Sequence, residues 1–351
     1  MIFVGDIAVP RGITSIATCS RPDWGQRSVI ANLEGAILSD NESDTGTRLY
    51  NDKSVLSYLH AMNIRLVTLA NNHVTDLHPS PRATIDLLSA NNILACGAGE
   101  SIEDASSPVL LQDIDGETVF IGFGWNVIGC RIASATTPGV NPLTPEAVIN
   151  GIRLANKRYP QTRIVLLMHW NYELEMYPQP MHRQLAHRAI EYGASAVIGC
   201  HSHCVQGIEV YQGAPIVYGL GNWFLPEGTG FGRFIRFPDF ALRQLAFDWN
   251  PCSGDMHCHW FSYNRYSHAL EYDKSERACD STAVRLLTPF VSMSHAEYVR
   301  WFRMNRRKRI LLPVYRNIDH GTRNKLRDGW VRARQGLIGI GVALKIKRTL
   351  R

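Results

Sequence analysis

Short apolar runs alternate with longer amphipathic stretches through most of the chain. The apolar runs predict buried β-strands, and these are Ile2–Val4, Val29–Ala31, Leu66–Leu69, Val119–Phe123, Ile164–Met168, Ala196–Ile198 and Ile216–Tyr218. The amphipathic stretches predict helices over Lys53–Met62, Ser80–Ala90, Thr144–Arg158 and Met181–Tyr192. Strands that alternate with helices in this way indicate an α/β fold with a largely parallel or mixed sheet.

The pattern changes after about residue 251. Residues 251–294 are typical of an irregular connecting segment, with strand pieces around 260–263. Residues 295–351 indicate a basic, mostly helical C-terminal extension that Pro313 interrupts. We therefore predict one α/β domain over residues 1–250, followed by the connecting segment and the extension.

The charge of the chain is unevenly distributed. Residues 300–351 contain 16 Lys and Arg but two acidic residues, a net charge of +14, whereas the rest of the chain carries −8. A basic tail of this kind favours an anionic partner: a membrane surface, an acidic polymer, nucleic acid or the acidic body itself. The alternative is a solvated basic helix that only aids solubility. Nucleic acid is not expected, because the basic residues are not interleaved around a cleft.

The sequence shows no secretory signal and no apolar stretch long enough to span a bilayer. The longest apolar stretch, residues 336–344, is nine residues long and is flanked by Arg and Lys, so it is suited to lie on a membrane. The eight cysteines contain no C-x-x-C and indicate free thiols. We expect a cytoplasmic protein whose basic C-terminal segment makes peripheral contact with the inner face of the membrane.

Five polar clusters lie at the ends of predicted strands. They are Gly5-Asp6, Asn32–Gly35, Ala70–His73 with Asp76, His169-Trp170 with Glu173, and Gly199–His203. Each has a structural interpretation by itself: a turn at Asp6, a helix N-cap at Asn71 or Asn72, a core histidine at His169. Because ligands bind beyond the carboxyl ends of strands in such sheets, five clusters together favour one functional site.

These clusters supply a mixed oxygen and nitrogen ligand set. The predicted metal ligands are Asp6, Glu34, Asn72, His169, His201 and His203. Such a set suits Mn²⁺, Fe or Zn²⁺, and a carboxylate such as Glu34 is able to bridge two ions. We therefore expect one or two divalent metal ions, which would activate water and stabilise the leaving oxygen of a phosphoester.

Three further residues are predicted to be catalytic. His73 is positioned beside Asn72 to act as a general acid, and Asp76 would fix its tautomer. Glu173 follows the His169 cluster and is a further acid or base.

The order of the motifs GD, NLEG, ANNH-x-x-D, HW-x-x-E, G-x-H-x-H-x-x-Q and Y-x-LGN resembles the bacterial capsule-synthesis CapA family. That family is associated with poly-γ-glutamate capsule production and belongs to the calcineurin-like metallophosphoesterase superfamily. The resemblance covers roughly residues 1–225. It implies a four-layer α/β/β/α sandwich of metallophosphoesterase type, metal-ligand positions for the six residues above, and phosphate contact for His73. The first motif carries Asp6-Ile7-Ala8 where metallophosphoesterases carry D-x-H.

Three functions are compatible with these residues. The first is a metal-dependent hydrolase in capsule or extracellular polymer biosynthesis, with an anionic polymer or a peptide-like molecule as its substrate. The second is a metal-independent isomerase or epimerase, in which His73 with His169 or Glu173 removes and returns a proton next to a carbonyl. The third is a non-catalytic assembly factor for a polymer synthase. We favour the hydrolase.

Overall fold

The computed structural model describes residues 1–11, 22–38, 48–228, 235–309 and 311–343, with side chains up to residue 337. The strands are β1 (Ile2–Ile7), β2 (Val29–Leu33), β3 (Ala36–Ile37), β4 (Tyr50–Asn51), β5 (Ile64–Thr68), β6 (Leu94–Cys96), β7 (Ala98–Gly99), β8 (Val109–Asp113), β9 (Gly116–Gly124), β10 (Gly139–Val140), β11 (Arg163–His169), β12 (Ala196–Cys200), β13 (Ile208–Tyr211), β14 (Ala214–Val217), β15 (Asn222–Phe224), β16 (Arg243–Trp249), β17 (Met256–Asn264) and β18 (Ala269–Arg277). The helices are α1 (Ser54–Ala61), α2 (Arg82–Ala90), α3 (Ile102–Ser106), α4 (Pro145–Arg158), α5 (Pro180–Glu191), α6 (Thr282–Leu287), α7 (His295–Asn305) and α8 (Gly321–Ala343).

Two large mixed sheets form the body. The first has eight strands in the order β18-β17-β16-β1-β2-β5-β6, with β15 paired to β1, and the second has six in the order β13-β14-β12-β11-β9-β8. Strands β1, β2, β5 and β6 run parallel in the first sheet, and β9, β11, β12 and β14 run parallel in the second. The parallel strands of each sheet therefore end at one common edge.

The two sheets pack face to face, and helices cover their outer faces. Because side chains alternate along a strand, Val165 of β11 packs between the sheets, whereas Ile164 and Leu166 pack in the core that includes α4 and α5. The rings of Phe3 in the first sheet and Phe120 in the second lie 6.5 Å apart. Helices α1 and α2 contact the first sheet, and α4 and α5 contact the second. This arrangement confirms the predicted four-layer α/β/β/α sandwich.

The predicted strands and helices of the body are all present, to within three residues at each end. Helix α4 illustrates why the sequence specifies them. The Thr144 hydroxyl accepts a hydrogen bond from the Ala147 amide, and Pro145 occupies the first turn, where no amide hydrogen is needed.

Residues 251–294 differ from the predicted irregular segment. They contain β17, β18 and α6, and the two strands extend the first sheet beyond β16. Strand β18 is the edge of that sheet, and most of its side chains are exposed and polar. An edge strand with charged side chains lacks the apolar run that identifies a buried strand, so the hydrophobic pattern did not predict β18.

The C-terminal extension is helical, as predicted, and packs on the body. Tyr298 of α7 and Tyr315 are both fully buried. The Tyr298 hydroxyl donates to the Pro178 carbonyl at 2.6 Å, and the Tyr315 amide donates to Gln179 Oε1 at 3.1 Å. The acidic body is therefore one partner of the basic tail. The last eight residues, 344–351, lie outside the described part of the chain.

No helix in the described ranges combines the length and the apolar content that are needed to cross a bilayer.

Candidate metal centre

The predicted ligands come together where the parallel strands of both sheets end. Asp6 lies in β1, and His169 and Cys200 are the last residues of β11 and β12. The His201 amide donates to Asp6 Oδ2 at 3.2 Å, which joins the edge of one sheet to the edge of the other. The site is therefore built between the two sheets, as the strand-end pattern predicted.

Asp6 is fully buried at the centre of the site. Its Oδ1 atom accepts from Asn32 Nδ2 at 2.8 Å, and its Oδ2 atom lies 3.2 Å from His203 Nδ1. Burial alone would raise the pKa of Asp6, but the hydrogen bond and the charge of His203 hold it below its usual range. Gly5 permits this position, since a Cβ atom there would lie 1.9 Å from the Gly221 carbonyl oxygen.

Glu34 is a second fully buried carboxylate close to Asp6. Its Oε2 atom accepts from Asn32 Nδ2 at 2.5 Å, whereas Oε1 has no hydrogen-bond partner among the described residues and lies 3.6 Å from His169 Nε2. Burial and the charge of Asp6 raise the pKa of Glu34 to about 7. Two buried carboxylates that share one amide donor require a positive charge between them to be stable as anions.

The histidines are buried in the same region. His169 Nε2 lies 2.8 Å from Asn72 Oδ1, and its ring centroid lies 4.6 Å from that of His201. Burial lowers the pKa of His169 to about 3 and also lowers that of His201 well below its usual value, so both rings are neutral at pH 7. Neutral imidazole is the form that binds metal ions.

These residues fit a divalent metal ion. Ligand atoms of Glu34, His169 and His201 lie within 4.8 Å of one another, and so do those of Asp6, His169 and Cys200. In two of these residues one ligand-type atom, Glu34 Oε1 or His201 Nδ1, is buried without a hydrogen-bond partner in the described part of the chain. Buried polar atoms are ordinarily satisfied, so a cation with oxygen and nitrogen ligands accounts for both.

The backbone at the two final histidines is strained. His201 has φ of 85° and His203 has φ of 52°, in the left-handed region that side chains other than glycine rarely adopt. Strain of this kind is retained where the surrounding structure fixes it, and it is concentrated at functional sites. With this backbone conformation, both rings of the G-x-H-x-H motif lie in the same region, with centroids 5.8 Å apart.

His73 and Asp76 form a pair beside the ligands. His73 Nδ1 lies 2.7 Å from Asp76 Oδ2. Burial opposes protonation of His73, but the Asp76 hydrogen bond and the charge of Glu34 raise its pKa overall. Residues 71–76 form bends and turns and not the start of a helix, so the helix N-cap interpretation of Asn71 or Asn72 is wrong.

Glu173 lies at the rim of the site. Its side chain is exposed, and its charge raises the pKa values of both His73 and His203. The predicted acid or base is therefore within electrostatic reach of the site and in contact with solvent.

Three residues of the site were not predicted as site residues. Asn32 bridges the two carboxylates, Asn222 Oδ1 lies 2.8 Å from His203 Nδ1, and Cys200 Sγ lies 3.3 Å from His169 Nδ1. Asn32 and Cys200 lie within motifs that supplied ligands, whereas Asn222 ends the Y-x-LGN motif, which supplied none. A polar or thiol side chain close to a predicted ligand, at the end of a buried strand, is the signal that would have identified Asn32 and Cys200.

The chain is similar in sequence to known capsule proteins. Residues 1–226 match the family Bacterial capsule synthesis protein PGA_cap. The PGA biosynthesis protein CapA of Bacillus subtilis (strain 168) is 31% identical over 69% of this chain and 66% of its own length. The capsule biosynthesis protein CapA of Bacillus anthracis is 26% identical over 70% of this chain and 62% of its own length. The chain thus spans a little under two thirds of the length of these curated relatives.

Solved structures with a similar arrangement include two from Thermus thermophilus. A 5′-nucleotidase precursor aligns over 64% of this chain and 40% of its own, with 14% identity and a TM-score of 0.35. The sulfate thiohydrolase SoxB aligns over 71% of this chain and 38% of its own, with 10% identity and a TM-score of 0.37.

Proposed function

The chain belongs to the bacterial capsule synthesis family PGA_cap, and on this premise we propose that it is a metal-dependent hydrolase in the synthesis of a capsule or another extracellular polymer. The observation that carries the proposal is the pair of buried atoms Glu34 Oε1 and His201 Nδ1, which lie beside Asp6 and His169 and have no hydrogen-bond partner among the described residues. Other buried side-chain atoms in the described part of the chain also lack a partner, but these two lie in a group of carboxylate and imidazole ligands that converge on one point, which favours a bound cation.

The residues divide into two roles. Glu34, His169 and His201 would hold an ion, with Asp6, Asn72 and His203 completing the ligand set. A bound divalent ion supplies an activated water and stabilises negative charge on a leaving oxygen. His73 would donate a proton to the leaving group, oriented by Asp76.

The relatives and the site support a proposal for the substrate. The similar Bacillus subtilis protein is described as acting in PGA biosynthesis, and we propose an amide-linked or phosphoester bond of an anionic polymer as the bond cleaved. Glu173, an exposed carboxylate at the rim, would face this substrate.

Metal removal tests the proposal. Protein purified without chelators is expected to contain about one or two equivalents of Mn, Fe or Zn, by analogy with catalytic metal sites. Chelation should abolish hydrolysis of a p-nitrophenyl phosphodiester or of poly-γ-glutamate, and adding back Mn²⁺ should restore it. The absence of bound metal, even after incubation with excess Mn²⁺, would overturn the proposal. Exchange of substrate hydrogen in D₂O without hydrolysis would instead favour the isomerase.

Replacing Asp76 by asparagine is expected to lower turnover about 10-fold to 100-fold without loss of metal, because the His73 ring loses the carboxylate that orients it. The measurement is kcat together with metal content per chain. Asp86→Asn is the matched control, since Asp86 is an exposed partner of Arg82 on α2. Unchanged kcat in the Asp76 variant would remove the His73 pair from the mechanism.

A further inference from the structure

Helix α8 has two faces of opposite character. Val331 is buried, the Gln335 side chain donates to the Val127 carbonyl at 3.4 Å, and Asp328 accepts from the Tyr315 hydroxyl at 2.8 Å. These contacts fix which side of the helix faces the body. With 3.6 residues per turn, the opposite side is the one that reaches solvent.

The solvent side carries large apolar side chains. Leu326, Trp330 and Leu337 have relative exposures of 73%, 52% and 70%. Their spacings of four and seven residues place all three on one stripe of the helix. Leu311, with an exposure of 60%, continues the patch, because its carbonyl accepts from Trp330 Nε1 at 2.8 Å. Solvent exposure of four large apolar residues in one patch marks an interaction surface.

Basic side chains lie on both sides of this stripe. At 100° per residue, Arg323, Arg327 and Arg334 border the stripe on one side, and Lys325 and Arg332 lie about 100° or more from Leu326 on the other side. The single acidic residue of the helix, Asp328, is on the face that contacts the body. A leucine and tryptophan stripe between basic margins is the pattern of a helix that lies in the interface of an anionic membrane.

We propose that α8 docks this protein on an anionic lipid surface, with Leu326, Trp330 and Leu337 inserted between the headgroups. The basic side chains are attracted to the negative charge of the lipid headgroups, and the apolar stripe is removed from water when it inserts. An acidic polymer would neutralise the same arginines but would leave the leucines and the tryptophan exposed, so the lipid surface is the better fit.

Docking would bring the candidate metal centre close to the membrane. The turn that α8 contacts, Asn126–Ile128, is followed by Gly129, where a Cβ atom would lie 3.6 Å from the Asn72 Cβ atom. The Trp125 amide at the start of this turn donates to the His169 carbonyl at 3.0 Å. Lipid binding is measured without turnover and is therefore independent of the proposed hydrolysis.

The test is co-sedimentation of the full chain with vesicles of phosphatidylcholine containing phosphatidylglycerol. The parent is expected to bind, more weakly at high salt and more weakly still to pure phosphatidylcholine. Leu326→Ser with Leu337→Ser should weaken binding at least about tenfold, because both changes remove apolar area from the inserted stripe. The matched control is Leu154→Ser with Leu286→Ser, two exposed leucines on α4 and α6, which should bind like the parent.

Four results would overturn the proposal. One is the absence of vesicle binding by the parent. Another is equal binding by the α8 variant and the parent. The third is binding of poly-glutamate by the parent and the α8 variant alike, without vesicle binding, which would assign the basic margins to an acidic polymer. Sedimentation of the unliganded parent as a dimer that the α8 variant loses would assign the stripe to a second copy of the chain.

Discussion

Replacing His201 and His203 together by alanine is expected to remove the bound metal and to lower hydrolysis at least about 1000-fold. The variant deletes two of the three imidazoles of the predicted ligand set, including the His201 Nδ1 atom that has no hydrogen-bond partner among the described residues, and leaves Asp6 and Glu34 as buried carboxylates. Metal content per chain by mass spectrometry and hydrolysis rate are the two measurements. Circular dichroism establishes that the fold is retained.

The matched control is His60→Ala with His268→Ala, since both histidines are exposed, on α1 and in the β17–β18 turn. The control should keep both metal and activity. Full metal occupancy in the His201/His203 variant would show that the ligands lie elsewhere. A parent that binds metal and cleaves none of the tested bonds would favour the assembly factor over the hydrolase.

The position of the site was predictable because one rule connects distant residues. Asp6, His169 and His201 each lie at or just beyond the end of a short, wholly apolar run, and such runs identify buried parallel strands. Parallel strands end at a common edge, so residues separated by almost 200 positions were expected to meet. Whether each residue binds a metal ion is still a prediction.

The rest of the site depends on contacts that no local pattern encodes. Asn222 reaches His203 because β15 pairs with β1, across more than 200 residues, beside a register shift at Asp6. The docking of the extension is similar: the amides of Arg307 and Lys308 donate to Glu175. A glutamate that binds backbone amides has no sequence signature, so the sequence indicated a basic, helical tail with the acidic body among its candidate partners, but not the contacts that dock the tail on the body.

A buried ion pair between Arg183 and Glu209 was also not predictable from the sequence. Arg183 on α5 donates to both carboxylate oxygens of Glu209 on β13, at 3.0 and 2.6 Å, and each residue alone is typical of an exposed position. Tyr218 and His187 contact the same carboxylate. Arg183 also lies over the rings of Phe290 and Tyr298, at 5.4 and 5.2 Å, so the pair links the second sheet to the extension.

Because of this pair, the free energy of unfolding should decrease as the pH falls below about 4.3. Burial alone would raise the pKa of Glu209, but hydrogen bonds from His187 and Arg183 hold it at about 2. A carboxylate whose pKa is lower in the folded state stabilises the fold above its unfolded pKa of about 4.3. That contribution is lost as the pH falls from about 4.3 towards 2, where the folded carboxylate also becomes protonated.

Glu209→Gln is therefore expected to lower the free energy of unfolding at pH 7 by about 3 kcal/mol, because it leaves Arg183 as a buried charge without its carboxylate. Thermal unfolding should show a Tm lower by about 5 °C or more. The difference in Tm between the variant and the parent should become smaller as the pH is lowered below about 4.3. Glu191→Gln, an exposed residue that accepts from the Tyr211 hydroxyl, should unfold like the parent at every pH. If the free energy of unfolding of the Glu209 variant stays below that of the parent by the same amount from pH 7 to pH 3, the substitution acts through packing and not through the lost charge.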